Sequence, residues 1–277
     1  MSSSTVQVIA VTSGKGGVGK TNTSINIAAS LAKQGHKVML MDADLGLANI
    51  DVNLGLQCSF NMAHVMSGEK TLSEIIQIGP FGIQVVPAAS GIYEMAGLEN
   101  EQLQHLIQAF SEYNGKLDYL IIDTAAGISD NVLAFLNAAH QVIVIACDEP
   151  SSITDAYALI KVMNQRYDAS RFHFIASMVK NEKEGQALYA KIERVVDHYL
   201  GATMLYLGSS PRDEQLRMAN KQQKAVVQAA PMATSSRAYA RMAAVVERWP
   251  PPTGLSGQVE FFVERLLQHK AELEITH

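Results

Sequence analysis

Cysteine is scarce in this 277-residue chain, which has only Cys58 and Cys147. The two lie far apart and form no CxxC pair, so the sequence predicts neither a disulfide framework nor a self-contained metal site. Long apolar runs are also lacking, since no stretch approaches the roughly 18 residues that a membrane span requires. The start, residues 1–5, is too short and polar for a signal peptide. We therefore expect a cytoplasmic protein.

An excess of positive charge is lacking as well, because 22 basic and 27 acidic residues give a formal net charge of −5. The chain therefore has no overall positive field to hold a nucleic acid backbone regardless of its sequence. This balance argues against a protein that coats DNA, and we expect no direct nucleic-acid contact. With 48% hydrophobic residues, the chain can bury a sizeable core in one large domain.

Short apolar, β-branched runs alternate with longer amphipathic patterns along the chain. Near-continuous apolar strands separated by helices predict an α/β fold, in which helices cover both faces of a mostly parallel sheet. Ligands of such sheets bind beyond the carboxyl ends of the strands. The predicted strands are 6–11, 38–41, 83–86, 119–122, 142–146, 172–178 and 204–207, and the predicted helices are 21–33, 101–110, 151–167, 182–199 and 235–249.

The first predicted strand leads into a glycine-rich loop and then a helix, the context that identifies a phosphate loop. Glycine is needed there because side chains would block the backbone N–H groups that wrap the phosphates. Lys20 should reach the β- and γ-phosphates, and Thr21 should place its hydroxyl on Mg²⁺. The sequence therefore predicts an ATPase with ATP/ADP and Mg²⁺ as cofactors. The predicted ATP-binding residues of the loop are Gly14, Lys15, Gly16, Gly17, Val18, Gly19, Lys20, Thr21 and Asn22.

Two other predicted strands end in carboxylates at the same edge of the sheet. Asp123 is expected to hold Mg²⁺ through water, the alternative being a helix cap or a turn residue. Asp42 and Asp44, two positions apart, point the same way, so one can lie near the metal and one near an attacking water. A solvated acidic turn is the alternative for this pair. We expect Thr21, Asp44 and Asp123 to form the Mg²⁺ site.

The loop sequence resembles that of the MinD/ParA group of deviant-loop ATPases, in which Lys15 is the additional lysine. The resemblance implies a MinD-like (SIMIBI) P-loop NTPase fold and an ATP-dependent sandwich homodimer with slow, switch-type hydrolysis. It further implies that Lys15 reaches the partner's phosphates much as an arginine finger does, a device that accelerates hydrolysis by roughly 10³ to 10⁵. Asp44 would position the attacking water, so Lys15 and Asp44 are the expected catalytic residues.

The similarity extends to both switch segments of that group, which correspond to 42–49 and 123–127 here. It implies that Lys15, Asp42 and Asp155 form a dimer switch, with Asp155 engaging the additional lysine. The residues that the resemblance implies for reading adenine or covering the base are Asn181, Pro211, Arg212 and Asp213.

Within the group, segments 122–127 and 149–161 look most like the flagellar-number regulators of the FlhG/FleN family, over about residues 6 to 267. This implies control of flagellar number and placement by binding the flagellar master transcription activator, of the FleQ or FlrA type. Basal-body components, including a switch-ring protein of the FliM type, are the other implied partners. The DQAxxLR-type motif with which many members engage FlhF does not precede the first strand, which argues against FlhF as a partner.

Three consecutive prolines from Pro250 cannot continue a helix. We expect an ATPase domain over 1–249, a Pro-rich linker over 250–254 and an amphipathic C-terminal helix and tail over 255–277. MinD-type proteins use such a tail as a membrane anchor, which implies weak contact with the inner face of the plasma membrane or the cell pole. Docking on a protein partner and permanent packing on the main domain are the alternatives. The apolar stripe is Leu255, Val259, Phe262, Val263, Leu266 and Leu267.

The charge of the tail argues against strong binding to anionic lipid. Four glutamates stand against Arg265 and Lys270, a sum of −2 for residues 255–277.

Two other functional classes share the phosphate loop. A partition or cell-division-site ATPase of the MinD/ParA type is the main alternative to flagellar control. An electron-donating iron protein of the nitrogenase-reductase type would need cluster-ligating cysteines, and none follows Asp123 in the switch.

Overall fold

The computed structural model describes residues 5–44, 49–88, 100–113, 115–252 and 265–266. The strands within these ranges are β1 (Gln7–Ser13), β2 (Val38–Ala43), β3 (Gln77–Ile78), β4 (Gln84–Val86), β5 (Tyr119–Ala126), β6 (Gln141–Cys147), β7 (Arg171–Val179) and β8 (Thr203–Pro211). The α-helices are α1 (Lys20–Lys33), α2 (Ile50–Leu54), α3 (Met62–Met66), α4 (Leu72–Ile75), α5 (Asn100–Ser111), α6 (Asp130–Ala138), α7 (Pro150–Tyr167), α8 (Glu182–Leu200), α9 (Glu214–Lys221), α10 (Val226–Ala229) and α11 (Thr234–Val246).

All eight strands form one sheet in the order β3-β4-β2-β5-β1-β6-β7-β8. Neighbouring strands are parallel except β3, which is two residues long and antiparallel to β4. The predicted α/β fold with a mostly parallel sheet is confirmed. Because β1 lies between β5 and β6, the loop that follows β1 occupies the middle of the carboxyl edge, where open parallel sheets bind ligands.

Both faces of the sheet are buried, and successive residues of each strand alternate between them. Ile9 and Val11 of β1 belong to a core completed by α1, α10 and α11, whereas Val8 and Ala10 belong to a core completed by α5, α6, α7 and α8. This two-sided burial is the reason that the strands read as continuous apolar runs in the sequence.

Several strands extend past their predicted carboxyl ends. β5 continues through Asp123 and Thr124 to Ala126, and β8 continues through Ser209 and Ser210 to Pro211. The apolar pattern stops earlier because these polar residues form the carboxyl edge of the sheet. They are nonetheless in register with β2 and β7 respectively.

The helix predicted over 235–249 ends at Val246. Trp249 instead stacks on the imidazole of His173, with ring centroids 4.0 Å apart. Pro250 also disfavours helical backbone at the residue before it. Trp249 therefore lies beside the start of β7.

Helix α6 was not predicted because it is buried almost all round. Its residues Val132 to Leu136 are all at most 5% exposed, so no polar face reveals the helical period. The short helices α2, α3 and α4 were also not predicted, because four or five residues are too few to show the helical repeat of apolar residues.

Of the C-terminal apolar stripe, the structure describes Leu266 alone, and its other members lie outside the described residues. Leu266 is helical, 3% exposed, and part of the core that α5 to α8 complete. Burial also lowers the pKa of the neighbouring Arg265 guanidinium. This position agrees with packing of the tail on the main domain. None of the described helices is long and apolar enough to cross a membrane.

Leu266→Ala should lower the free energy of unfolding by about 2–4 kcal/mol, because it removes a buried side chain and leaves a cavity. Leu205→Ala is the matched control, since Leu205 is 36% exposed, and it should cost less than about 1 kcal/mol. Urea unfolding of the nucleotide-free protein measures both. A neutral Leu266→Ala would show that the tail is not part of the folded core.

Candidate functional site

The phosphate loop joins β1 to α1 and fits closely against α7. A Cβ placed on Gly14 would lie 2.2 Å from the carbonyl carbon of Asp155, so only glycine permits this approach. Gly17 and Gly19 have φ of 79° and 90°, the left-handed region that glycine adopts without strain. The loop therefore requires glycine at Gly14 for its contact with α7, and favours it at Gly17 and Gly19 for their backbone conformation.

The first turn of α1 has the properties of an anion site. Gly19 precedes it with no side-chain cap, and the turn holds no acidic residue. Its first N–H groups lack partners within the helix and carry the positive end of the helix dipole. A phosphate group matches both features.

A cleft of about 560 Å³ opens at this point of the sheet edge. It brings together the phosphate loop, the loop after β2, the end of β5 and the end of β7. The residues that line it are Gly16, Gly17, Gly19, Lys20, Thr21, Asn22, Asp44, Asn49, Asn53, Ala125, Ala126 and Met178.

Asp123 lies behind the loop and is 1% exposed. The Ser24 hydroxyl donates to its Oδ1 at 2.8 Å. Burial raises the pKa of Asp123, while the charge of Lys20 and hydrogen bonds from Thr21 and Ser24 act in the opposite direction. A carboxylate beside a threonine hydroxyl and a phosphate cradle suits Mg²⁺, which is held by one or two carboxylates together with phosphate oxygens. The residues present thus fit a Mg²⁺–nucleotide.

Asp42 and Asp44 occupy different environments. Asp42 is 3% exposed and accepts the backbone N–H groups of Asp44, Asn49 and Ile50 at 3.1, 2.9 and 3.1 Å. Burial raises the pKa of Asp42 to about 7. Asp44 lines the cleft and Asp42 does not. Asp42 therefore holds the ends of the segment between β2 and α2, whose residues 45–48 lie outside the described part of the chain.

Lys15 contacts the first turn of α7. Its Nζ donates to Glu149 Oε2 at 2.7 Å and to Ser151 Oγ at 3.0 Å. The hydrogen bond that Lys15 donates to Glu149 raises the pKa of Lys15 and lowers that of Glu149. The two side chains are 39% and 56% exposed, so solvent weakens the pair. Asp155, the predicted partner of Lys15, lies farther along the same helix and adds only a smaller electrostatic attraction.

Two of the four residues predicted to contact the base, Asn181 and Asp213, cap helices in this structure. Asn181 Oδ1 accepts the N–H of Glu184 at the start of α8. Asp213 caps α9 and accepts both the N–H and the hydroxyl of Ser235 at 2.8 Å. None of Asn181, Pro211, Arg212 and Asp213 lines the cleft.

Arg212 reaches the rim of the cleft through Met178. Its Nε donates to the Met178 carbonyl at 2.8 Å. Met178 has a left-handed φ of 57°, is 39% exposed, and lines the cleft. A bulky residue in this conformation is uncommon and costs energy, and no sequence signal identified it.

Three further residues near the loop were missed by sequence reasoning. Ser24 follows Thr21 by one helical turn, a spacing that could have identified it as a second donor to Asp123. Glu149 closely follows the apolar run of β6, as Asp123 follows the apolar run of β5, so its place near the carboxyl edge was a usable signal. Asn53 had none, because α2 was not predicted.

The chain matches a family model described as ParA, NUBPL iron-transfer P-loop NTPase, over residues 4–247. It is 50% identical to the antiactivator FleN of Pseudomonas aeruginosa over 266 residues, or 96% of this chain and 95% of that protein. It is 40% identical to the flagellum site-determining protein YlxH of Helicobacter pylori, over 80% and 76% of the two chains. The cell division ATPase MinD of Pyrococcus furiosus shares the fold with a TM-score of 0.70 at 21% identity, over 87% of this chain and 98% of that one.

Gly14→Ala should lower the free energy of unfolding by about 1–3 kcal/mol, because the new methyl group meets the α7 backbone, which cannot move aside like a side chain. Gly16→Ala is the matched control, since a Cβ there meets nothing within 4 Å. Urea unfolding without nucleotide compares the two. Equal unfolding midpoints would contradict the close contact between the loop and α7.

Glu149→Gln should make the Lys15 amine more reactive, because the carboxylate that keeps Lys15 protonated is removed. The measurement is the rate of Lys15 acetylation by acetic anhydride near pH 8, read by peptide mass spectrometry. Ser151→Ala keeps the carboxylate and should stay close to wild type. If Lys15 reacts at the same rate in the wild type and in Glu149→Gln, the ion pair does not form in solution.

Proposed function

The chain belongs to the ParA/MinD family of P-loop ATPases, and we propose that it is an ATP-dependent dimerising switch that controls flagellar number and placement. The observation that carries the proposal is the 50% identity to the antiactivator FleN, which extends over 96% of the chain. The aligned region therefore extends far beyond the phosphate loop.

As a member of this family the chain is an ATPase that uses ATP and Mg²⁺. We assign Thr21 and Asp123 to the metal and the glycine loop with Lys20 to the phosphates. Mg²⁺, when bound, offsets negative charge on the phosphate oxygens. Asp44 is the carboxylate of the cleft that we assign to orienting the attacking water.

We propose that on dimerisation Lys15 leaves Glu149 and Ser151 and contacts the nucleotide phosphates of the second protomer. Its amine is held by Glu149 and Ser151 at an exposed position beside the cleft. An ion pair that is exposed to solvent in this way is weak. A second protomer whose phosphates present several negative charges could therefore draw Lys15 away from Glu149 at little cost.

The regulatory partner is proposed to be the flagellar master transcription activator, of the FleQ or FlrA type. The support is the name antiactivator carried by the relative that shares half of its residues with this chain. A basal-body switch-ring protein of the FliM type is proposed as a second partner, because another relative determines the flagellar site. Binding would follow the nucleotide state, since the dimer offers a surface that the monomer lacks.

With ATP and Mg²⁺, Asp44→Ala should form a lasting dimer that captures the purified flagellar activator, because hydrolysis no longer resets the switch. Lys20→Ala, which loses its contact with the phosphates, should stay monomeric and leave the activator free. Light scattering after gel filtration gives the oligomeric state, and fluorescence anisotropy of labelled activator gives binding. An Asp44→Ala protein that remains monomeric with ATP would sink the dimer switch, and a dimer that ignores the activator would sink the flagellar assignment.

A further inference from the structure

Arg237 and Arg241 lie one turn apart on the exposed face of α11. Arg248 follows in the turn just after the helix ends at Val246. All three are exposed, and Val245 between them is 41% exposed. We call Arg237, Arg241 and Arg248 the arginine stripe.

The arginine stripe lacks acidic partners among the described residues. None of its members forms an ion pair there. The helix Thr234–Val246 contains no aspartate or glutamate at all. Glu247, next to the stripe, is bonded to His36 Nε2 at 3.0 Å. On a chain of net charge −5, a concentration of positive charge with no ion-pair partner in the described part of the chain has its own local electrostatic field.

A mainly apolar pocket of about 330 Å³ lies beside Arg237 of the stripe. Val227, Pro231 and Ala240 line it, and Lys33 and Arg237 supply the charges in its lining. The hydroxyl of Ser236, also in its lining, is bonded to the carbonyls of Val226 and Ala230. The pocket is thus suited to an apolar group that is flanked by negative charge.

This surface is separate from the nucleotide cleft. The two sets of lining residues have no member in common. The stripe lies on the helix layer formed by α1, α10 and α11, whereas Leu266 of the tail is buried in the core on the opposite face of the sheet. The described part of the tail therefore does not cover the arginine stripe.

We propose that the arginine stripe and its pocket dock an acidic amphipathic helix of a partner protein. Carboxylates at helical spacing would pair with the guanidinium groups, which present forked donors that match carboxylates. One apolar side chain of the same helix would fill the pocket, as in other helix-in-groove complexes. A nucleic acid would satisfy the charges but offers no apolar side chain for the pocket. The docking does not require ATP, so it stands apart from the dimer switch.

The test uses a synthetic helical peptide of about 16 residues, long enough to form a helix on a surface. It carries leucine on one face and glutamate on both flanks, and fluorescence anisotropy measures its binding to the full-length nucleotide-free protein. Arg237→Glu/Arg241→Glu should weaken binding at least about tenfold, because each change replaces attraction by repulsion. Ala240→Trp, which fills the pocket, should weaken binding similarly without changing charge.

Lys183→Glu/Arg194→Glu is the control for net charge, because it reverses the same number of charges. Lys183 and Arg194 are exposed on α8, which covers the opposite face of the sheet, and this variant should bind the peptide as the wild type does. A peptide with glutamine in place of glutamate should bind the wild type much less tightly, and Arg237→Glu/Arg241→Glu should then have little further effect. Unchanged ATPase activity in all variants shows that they are folded.

Three results would overturn the proposal. If Arg237→Glu/Arg241→Glu binds the peptide as tightly as the wild type, the stripe does not bind the peptide. If Arg237→Glu/Arg241→Glu weakens binding but Ala240→Trp does not, the pocket does not take part in binding. Tighter, stripe-dependent binding of random duplex DNA or phosphatidylserine vesicles than of the peptide would assign the surface to another class of partner.

Discussion

The contact between the phosphate loop and the first turns of α7 is the constraint on which the site depends. Gly14 approaches the Asp155 carbonyl carbon so closely that a Cβ would be 2.2 Å from it. The same approach brings Glu149 and Ser151 within hydrogen-bonding distance of Lys15. The position of Lys15 is therefore fixed by how the phosphate loop packs against α7. A shift of α7 would change the hydrogen-bond partners of Lys15 directly.

Asp42, Asp44 and Asp123 lie near the carboxyl edge of the sheet, but they differ in burial and in their contacts. Asp123 lies under the loop and accepts a hydrogen bond from Ser24. Asp42 accepts hydrogen bonds from three backbone N–H groups. Of these three aspartates, Asp44 alone lines the cleft. The segment after β2 is thereby tied at its ends to a buried carboxylate.

Sequence alone could predict the fold and the phosphate loop, because both depend on local patterns. Continuous apolar strands, the glycine spacing and Lys20 are visible without any tertiary information. The contact of Lys15 with Glu149 was not predictable, since it depends on how α7 is placed against a loop 134 residues earlier. The left-handed backbone of Met178 and the burial of Leu266 depend on tertiary packing in the same way. The lengths of β5 and β8 were underestimated because their carboxyl ends are polar. The apolar pattern that predicts a strand stops before these residues.

The central claim is that Lys15 serves the nucleotide of the other protomer, and mixing two inactive variants tests it most directly. Lys15→Ala keeps Asp44 but lacks the lysine, and Asp44→Ala keeps the lysine but lacks the carboxylate. If Lys15 acts across the interface, a mixed dimer contains one complete site, and steady-state ATP hydrolysis should return when the two proteins are combined. If the mixture is as inactive as each variant alone while mixed dimers form, Lys15 acts within its own protomer and the account is contradicted.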